Sequence, residues 1–133
     1  LNEDYAVTRS SYDDCVKFIV ADLDKAAELL KGKNPEDGRT NRLAALALKA
    51  RVLTYAASDL HDAAKARARV SVMASFSNPE LVAYTSGDQA SRWQAARTAA
   101  KAALDEAAAA GKGYKLNLAA PVTAAEGRAN YNA

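Results

Sequence analysis

The chain has 133 residues, of which 50% are hydrophobic and 26% charged, and its formal net charge is +2. This composition is that of an ordinary globular domain or of a piece of a larger one. The small charge argues against a nucleic-acid or membrane-surface partner. No run of about 18 apolar residues is present, so the sequence predicts no transmembrane helix.

The small number of reactive residues also limits the possible kinds of site, because the chain has one cysteine and one histidine. Cys15 cannot form an internal disulfide, and with His61 alone it cannot complete a zinc site. We therefore expect no metal and no cofactor. The sequence starts without methionine, so we interpret its first residue as a processing boundary; the absence of a signal-peptide pattern therefore says nothing about the parent protein.

The first predicted helix covers about residues 11–31. Apolar residues recur there at steps of three and four, which is typical of an amphipathic helix. Ser11 and Asp14 have the spacing of a capping box, and Gly32 is a typical stop. A polar loop then follows. The apolar stripe comprises Tyr12, Cys15, Ile19, Leu23, Ala26 and Leu30.

The second predicted helix covers about residues 41–60 and carries two apolar stripes. One stripe contains Leu43, Leu46, Ala47, Ala50, Leu53 and Ala57, and the other contains Leu48, Val52, Tyr55 and Asp59. Two stripes predict burial on two sides, as in the inner layer of a stack of helical hairpins. Lys49 and Arg51 are expected along the remaining edge, with their charged heads in water.

The third predicted helix covers about residues 92–110 and is rich in alanine, a strong helix former that also lets helices approach closely. Ser91 and Gln94 have capping-box spacing at its start. Residues 62–91, before it, are less regular and predict short helical turns and loops. Residues 113–118, Gly-Tyr-Lys-Leu-Asn-Leu, are predicted to be extended, and residues 119–133 to be a loop-like tail.

Four segments in order carry a family resemblance. They read SYDDCVKFIVADLDKAAELL, GRTNRLAALALKARVLTYAASDLHD, YTSGDQASRWQAARTAAKAALD and GYKL. Together they resemble the RagB/SusD family of outer-membrane nutrient-binding lipoproteins over roughly residues 9–118. The spacing of Trp93, Ala96, Ala100 and Ala103 is also similar to the second helix of a tetratricopeptide repeat.

The resemblance implies an all-α, tetratricopeptide-like helical array of about three main helices with short extended and loop segments. Residues 1–118 would form the SusD-like helical region, and residues 119–133 the tail. It further implies a non-catalytic protein at the bacterial cell surface that binds oligosaccharides or other nutrients. Such a protein is lipid-anchored in the outer membrane and works with a TonB-dependent, SusC-like transporter.

Two departures from the family limit what this chain is expected to do alone. Family members are several times longer, and the lipidation cysteine is absent, since Cys15 lies within a predicted helix. The chain is therefore expected to be a helical scaffold fragment that can self-associate. The alternative is an intracellular tetratricopeptide-like adaptor that grips a partner peptide in a helical groove, although the irregular segment at 62–91 does not fit a constant repeat.

Aromatic residues are the natural candidates for stacking on sugar rings. Trp93 and Tyr55 lie on predicted helix stripes, which favours packing in the core. Tyr84 and Tyr131 lie in predicted loops, which suits a residue that stacks on a sugar ring, although exposed loop tyrosines are also common without such a role. No binding residue is assigned from the resemblance, so the ligand-binding residues remain unknown.

No catalytic constellation is visible in the sequence, so we expect no enzyme. His61 lies between Asp59 and Asp62, but without an accompanying nucleophile it fits a residue at a helix end better than a general base. Asp24 and Glu28 are interpreted as part of a solvated helix face with interleaved lysines. The basic run at 65–69 is short and lacks aromatics, and residues 86–91 lack the lysine of a phosphate-binding loop.

Overall fold

A computed structural model describes residues 7–33, 35–36 and 38–109, and over these residues the protein is all-α, without a β-strand. Two short 3-10 helices, Asp59–His61 and Pro79–Leu81, accompany the α-helices. The predicted all-α helical array is thereby confirmed. The α-helices are α1 (Tyr12–Leu29), α2 (Arg42–Ala56), α3 (Ala63–Arg69), α4 (Ser71–Ala74) and α5 (Gln89–Ala109).

Helix α1 starts at the predicted cap. The Asp14 amide donates to the Ser11 hydroxyl oxygen at 3.1 Å, and that hydroxyl donates to the Asp14 carboxylate at 2.7 Å. Asp13 and Asp14 in the first turn also suit the positive end of the helix dipole. Gly32, just beyond the helix, has a φ of +69°, a conformation that favours glycine.

Helix α2 lies between α1 and α5 and packs on both. Its first residue, Arg42, reaches Ala27 near the end of α1 and Glu106 near the end of α5. At the other end of α2, the Ala57 carbonyl accepts a hydrogen bond from Gln89, the first residue of α5. Both flanking helices therefore run antiparallel to α2. Because α2 packs on both of them, its predicted place as the inner helix is confirmed.

Helix α5 begins at Gln89, so the predicted capping box at Ser91 and Gln94 is wrong. The Asp88 carboxylate accepts from the amides of Ala90 and Ser91 at 3.2 and 2.9 Å. The Ser91 hydroxyl donates to the same carboxylate at 2.9 Å and does not cap the helix itself. Asp and Ser are both strong cap residues, and the left-handed turn at Gly87 (φ +81°) places Asp88 at the helix start.

The core of the described chain is narrow, because alanine supplies most of it. Val16 is the one residue of the buried set that is larger than alanine. Small side chains let the helices approach closely but remove little apolar area from water. The buried set is Val16, Ala27, Ala45, Ala56, Ala57, Ala63, Ala66, Ala83, Ala96 and Ala99.

The second predicted stripe of α2 is only partly buried. Leu48 is 50% exposed and Tyr55 is 61% exposed, so the expectation that Tyr55 belongs to the core is wrong. The same holds for Trp93 on α5, which is 46% exposed. Leu48 and Tyr55 on α2, with Trp93 and Leu104 on α5, form apolar outer stripes that no described part of the chain covers.

The segment between α2 and α5 folds back on itself. The Tyr84 amide donates to the His61 carbonyl at 2.9 Å, and the Ala63 amide donates to the Tyr84 carbonyl at 2.9 Å. This pairing brings the end of the segment beside its beginning and fixes Tyr84 at one end of the helical layer. None of the described helices is long and apolar enough to cross a membrane.

Candidate functional site

A groove runs between α1 and α5, with α2 as its floor. It consists of two adjoining cavities of about 310 and 420 Å³ that share Val20, Leu53 and Ala95. We call it the α1–α5 groove. The first cavity is also lined by Val16 and Ala56, and the second by Leu46, Ala99 and Ala102.

The groove follows from how the three helices pack. Both α1 and α5 rest on α2, and they make few direct contacts with each other. The wall formed by α5 contains three alanines, Ala95, Ala99 and Ala102, beside Gln94 and Thr98. The alanine side chains are too short to reach across to α1. A larger residue on this stripe would narrow the groove.

One end of the groove is closed by an aromatic cluster. The rings of Tyr12 and His61 stack with their centroids 4.5 Å apart, and Tyr84 meets Tyr12 edge-on at 5.4 Å. Arg92 lies over the Tyr84 ring, 4.6 Å from its centroid, as a cation–π contact. His61 also joins the Val82 carbonyl through Nδ1 at 2.9 Å. These contacts fix the orientation of Tyr84 at the groove.

The environment of the cluster raises the pKa of both tyrosines. For Tyr12 the main cause is burial, and the second is the neighbouring Tyr84. For Tyr84 burial is again first, followed by the negative charge of Asp13, with Arg92 acting in the opposite direction. Both phenols are therefore neutral at physiological pH and can act as hydrogen-bonding groups, not as bases.

Charged side chains around the groove are mostly paired within the protein. Arg92 binds Asp62 at 2.5 Å, and both side chains are largely buried. Asp62 also caps α3, accepting from the Lys65 amide at 3.2 Å. Lys17 pairs with Asp13 at 2.8 Å, and the hydrogen bond to that carboxylate raises the pKa of Lys17. Little uncompensated charge is left to attract an ionic ligand.

The floor and the far end of the groove are also held by ion pairs. Lys49 leaves the floor to bind Asp24 of α1 at 2.6 Å. The Lys49 side chain is only 22% exposed, so the expectation that its charged head lies in water is wrong. Asp24 is 53% exposed and lies on the solvated face of α1, as predicted. At the far end, Arg42 of α2 links Glu106 of α5 to the Ala27 carbonyl of α1.

A second network of polar contacts joins the segment between α2 and α5 to the end of α2. Asp59 accepts from Gln89 at 2.9 Å, and pairs with Lys65 at 3.3 Å and Arg69 at 2.5 Å. The hydrogen bond from Gln89 is the largest of several causes that lower the pKa of Asp59. This network holds structure together and leaves no free base.

The sequence candidates divide between the groove and the outside of the layer. Tyr84 lines the groove, and His61 ends a 3-10 helix next to it. Trp93 and Tyr55 lie on the outer stripes, away from the groove lining. Tyr131 and the predicted extended residues 113–118 lie outside the described residues, as does the tail at 119–133.

Tyr12 and Arg92 were missed as members of the aromatic end, since Tyr12 was assigned only to an apolar stripe. The sequence signal that could have suggested them is weak: Tyr12 opens α1 beside Asp13, and Arg92 lies in the first turn of α5. Their meeting depends on the path of residues 62–84, which local sequence does not specify.

The groove is suited to apolar contact and shape recognition. Its lining is largely aliphatic, and its polar groups are concentrated at the aromatic end. Within the described part of the chain, no group of three or more His, Cys, Asp or Glu side chains is placed to hold a metal ion. Comparisons with profiles of known protein families, with curated proteins and with solved structures find no match for this chain.

Proposed function

We propose that this chain is the helical scaffold of a SusD-type surface nutrient-binding protein that works with a TonB-dependent transporter. It would capture oligosaccharides or other nutrients without chemistry, as part of a lipid-anchored outer-membrane protein. Its own helices would supply a rigid layer on which binding loops and the transporter contact are built.

The observation that carries this proposal is the uncovered outer stripes of the layer. Leu48 and Tyr55 of α2 and Trp93 of α5 expose large apolar areas, and the opposite side of α2, with Leu46 and Leu53, forms the floor of the open α1–α5 groove. Isolated soluble domains rarely leave such surface open unless it is an interaction site. A layer of helices with uncovered apolar surface on both faces is expected of an internal scaffold, in which other parts of a larger protein cover that surface.

The α1–α5 groove supports a second candidate, an intracellular adaptor that binds an apolar peptide. Helical grooves of this kind receive peptides through aliphatic contacts, and here the groove is largely uncharged. The two proposals differ in location and in the surface used, so they can be separated by experiment.

A labelling experiment on intact cells tests the first proposal. Antibodies raised against this chain would be applied to intact and to lysed cells of the organism that makes it. Surface scaffold function predicts labelling of intact cells, and loss of that label after mild external protease. Label only after lysis, with a periplasmic and a cytoplasmic marker as controls, would rule out the surface proposal and favour the adaptor.

A further inference from the structure

We propose that this chain binds a second copy of itself, with the outer side of α1 on one copy lying against the outer stripes of α2 and α5 on the other. The two surfaces are both apolar, carry opposite charge, and are covered by no described part of the chain. This association concerns the 133-residue chain and does not depend on the proposed surface function.

The first surface is the outer side of α1, which we call the acidic stripe. Phe18, Ile19 and Leu29 are exposed there although they are large and apolar. Asp22 lies among them, at helical steps of three, four and seven residues. Helix α1 as a whole carries five acids and two lysines. In the described part of the chain, Asp22 takes part in no ion pair, so its charge is free to meet a partner.

The second surface is the pair of outer stripes on α2 and α5, which we call the basic face. Its members are Leu48, Arg51 and Tyr55 of α2 and Trp93, Arg97 and Leu104 of α5. The two helices are antiparallel and are joined at both ends. Counting inward from these ends places Arg51 about level with Arg97, and Tyr55 about level with Trp93. A partner that lies across the face therefore meets both arginines and both aromatic rings.

The charge of the basic face is left over after the internal ion pairs are formed. Helix α2 carries three basic residues and no acid. Arg42 and Lys49 of α2 pair with acids of the neighbouring helices. Among the described residues, neither Arg51 of α2 nor Arg97 of α5 has an ion-pair partner. The face is therefore positive, and it suits a partner that combines carboxylates with apolar side chains.

The acidic stripe of a second copy has this chemistry. Opposite charges steer association and fix orientation, and burial of the exposed apolar side chains contributes about 25 cal/mol per Å². Contact between two acidic stripes or between two basic faces would bring like charges together, so contact between unlike surfaces is favoured. Each copy carries both surfaces, so one copy can bind two others, or two copies can bind each other twice.

The shapes of the two surfaces also agree. The acidic stripe borders an open hollow of about 470 Å³. It is lined by Ser10, Asp14, Cys15, Phe18 and Ile19. The basic face presents Tyr55 and Trp93, whose large rings can fill such a hollow. In dilute solution both surfaces stay open to water, and the contact forms as the protein concentration rises.

Charge reversal tests the pairing. Arg51→Glu/Arg97→Glu makes the basic face acidic, and Asp22→Lys/Glu28→Lys makes the acidic stripe basic. All four side chains are exposed, so both variants should keep the fold, which circular dichroism checks. Light scattering after size exclusion and sedimentation equilibrium, each at several protein concentrations, measure the association.

The natural chain should associate increasingly as its concentration rises. Each reversed variant alone should show a dissociation constant at least about tenfold higher, because like charges then meet at the contact. An equal mixture of the two variants should associate with nearly the natural strength, because each reversed surface complements one on the other variant. The control Lys33→Glu/Arg39→Glu changes the net charge as much as the first variant, at exposed positions in the loop after α1, and should associate like the natural chain.

Three results would overturn the proposal. The first is a natural chain that stays monomeric at every concentration, which would leave the basic face to a different protein. The second is a mixture that associates no better than its two components. The third is a control that loses as much association as Arg51→Glu/Arg97→Glu, since the effect would then come from net charge alone.

A cross-linking measurement identifies the surfaces without charge reversal. Arg51→Lys keeps the positive charge and supplies an amine, which a carbodiimide joins to a nearby carboxylate as an amide. In a mixture of isotope-labelled and unlabelled chains, we expect mixed-label peptides that join position 51 to α1, and few such peptides for the control Arg39→Lys. Mixed-label cross-links that join only the α1 helices of two copies would contradict the proposed contact.

Discussion

At the scale of single residues, Arg42 is important for stability, because it links all three main helices at one end of the layer. Its guanidinium donates to the Ala27 carbonyl of α1 at 3.2 Å and pairs with Glu106 of α5. The side chains of Arg42 and Glu106 are only 31% and 23% exposed, so water can replace the lost contact only in part.

We predict that Arg42→Ala lowers the free energy of unfolding by about 1–3 kcal/mol, since it leaves a half-buried carboxylate and a carbonyl without this partner. The matched control is Arg39→Ala, which removes an exposed pair with Glu36 and should cost less than about 0.5 kcal/mol. Urea denaturation followed by circular dichroism measures both. A similar loss for the two variants would contradict the bridging role of Arg42.

Asp88 makes the stability dependent on acid pH. Hydrogen bonds from the Ser91 amide and hydroxyl, and then from the Ala90 amide, hold its pKa below the usual 3.8. The unfolded chain therefore binds more protons than the folded one between the lowered pKa and 3.8. The stabilisation is present above pH 3.8 and is lost as the pH falls through the lowered pKa.

We predict that Asp88→Asn makes the acid loss of stability shallower, because asparagine can still cap a helix but does not titrate there. Thermal unfolding midpoints between neutral and strongly acidic pH would be compared with those of the natural chain. The control is Asp22→Asn on the exposed side of α1, which should keep the natural dependence. An unchanged slope in Asp88→Asn would show that the cap does not couple to pH.

At the scale of elements, α5 shows what alanine does in this fold. Ala96 is buried on the side that packs towards α2, while Ala95, Ala99 and Ala102 of the same helix line the groove. The same residue type thus serves two purposes, close packing and an open wall. Periodicity in an alanine-rich helix does not separate these roles.

We predict that Ala96→Leu lowers the free energy of unfolding by about 1–3 kcal/mol, because the added methylene groups have no space against α2. The control Ala90→Leu places the same side chain at an exposed position in the first turn of α5 and should change stability by less than about 0.5 kcal/mol. Equal effects in chemical denaturation would mean that α5 does not pack closely through Ala96.

The main helices could be predicted from sequence because their signals are local. The cap at Ser11 and the three long periodic segments required no knowledge of the rest of the fold. The start of α5 was predicted at Ser91, which is wrong, since Asp88 is an equally good cap residue and the turn at Gly87 places it at the helix start. The short helices of residues 62–84 depend on the backbone hydrogen bonds of Tyr84 with His61 and Ala63, which no local sequence pattern predicts.

At the scale of the whole molecule, periodicity showed which residues share a face but not whether a neighbour covers that face. Tyr55 and Trp93 were expected in the core, and they are exposed because the described helices form a single layer. The groove was also beyond sequence reasoning, since it exists only because α1 and α5 rest side by side on α2.

The central claim, that this layer is the scaffold of a surface nutrient-capture protein, is tested most directly by purifying the full-length parent from its native cell. Membranes would be solubilised gently, the tagged protein captured, and its companions identified and quantified by mass spectrometry. We predict a large β-barrel transporter in stoichiometric yield. Recovery of the parent from the soluble fraction with cytoplasmic partners would contradict the claim and favour the adaptor.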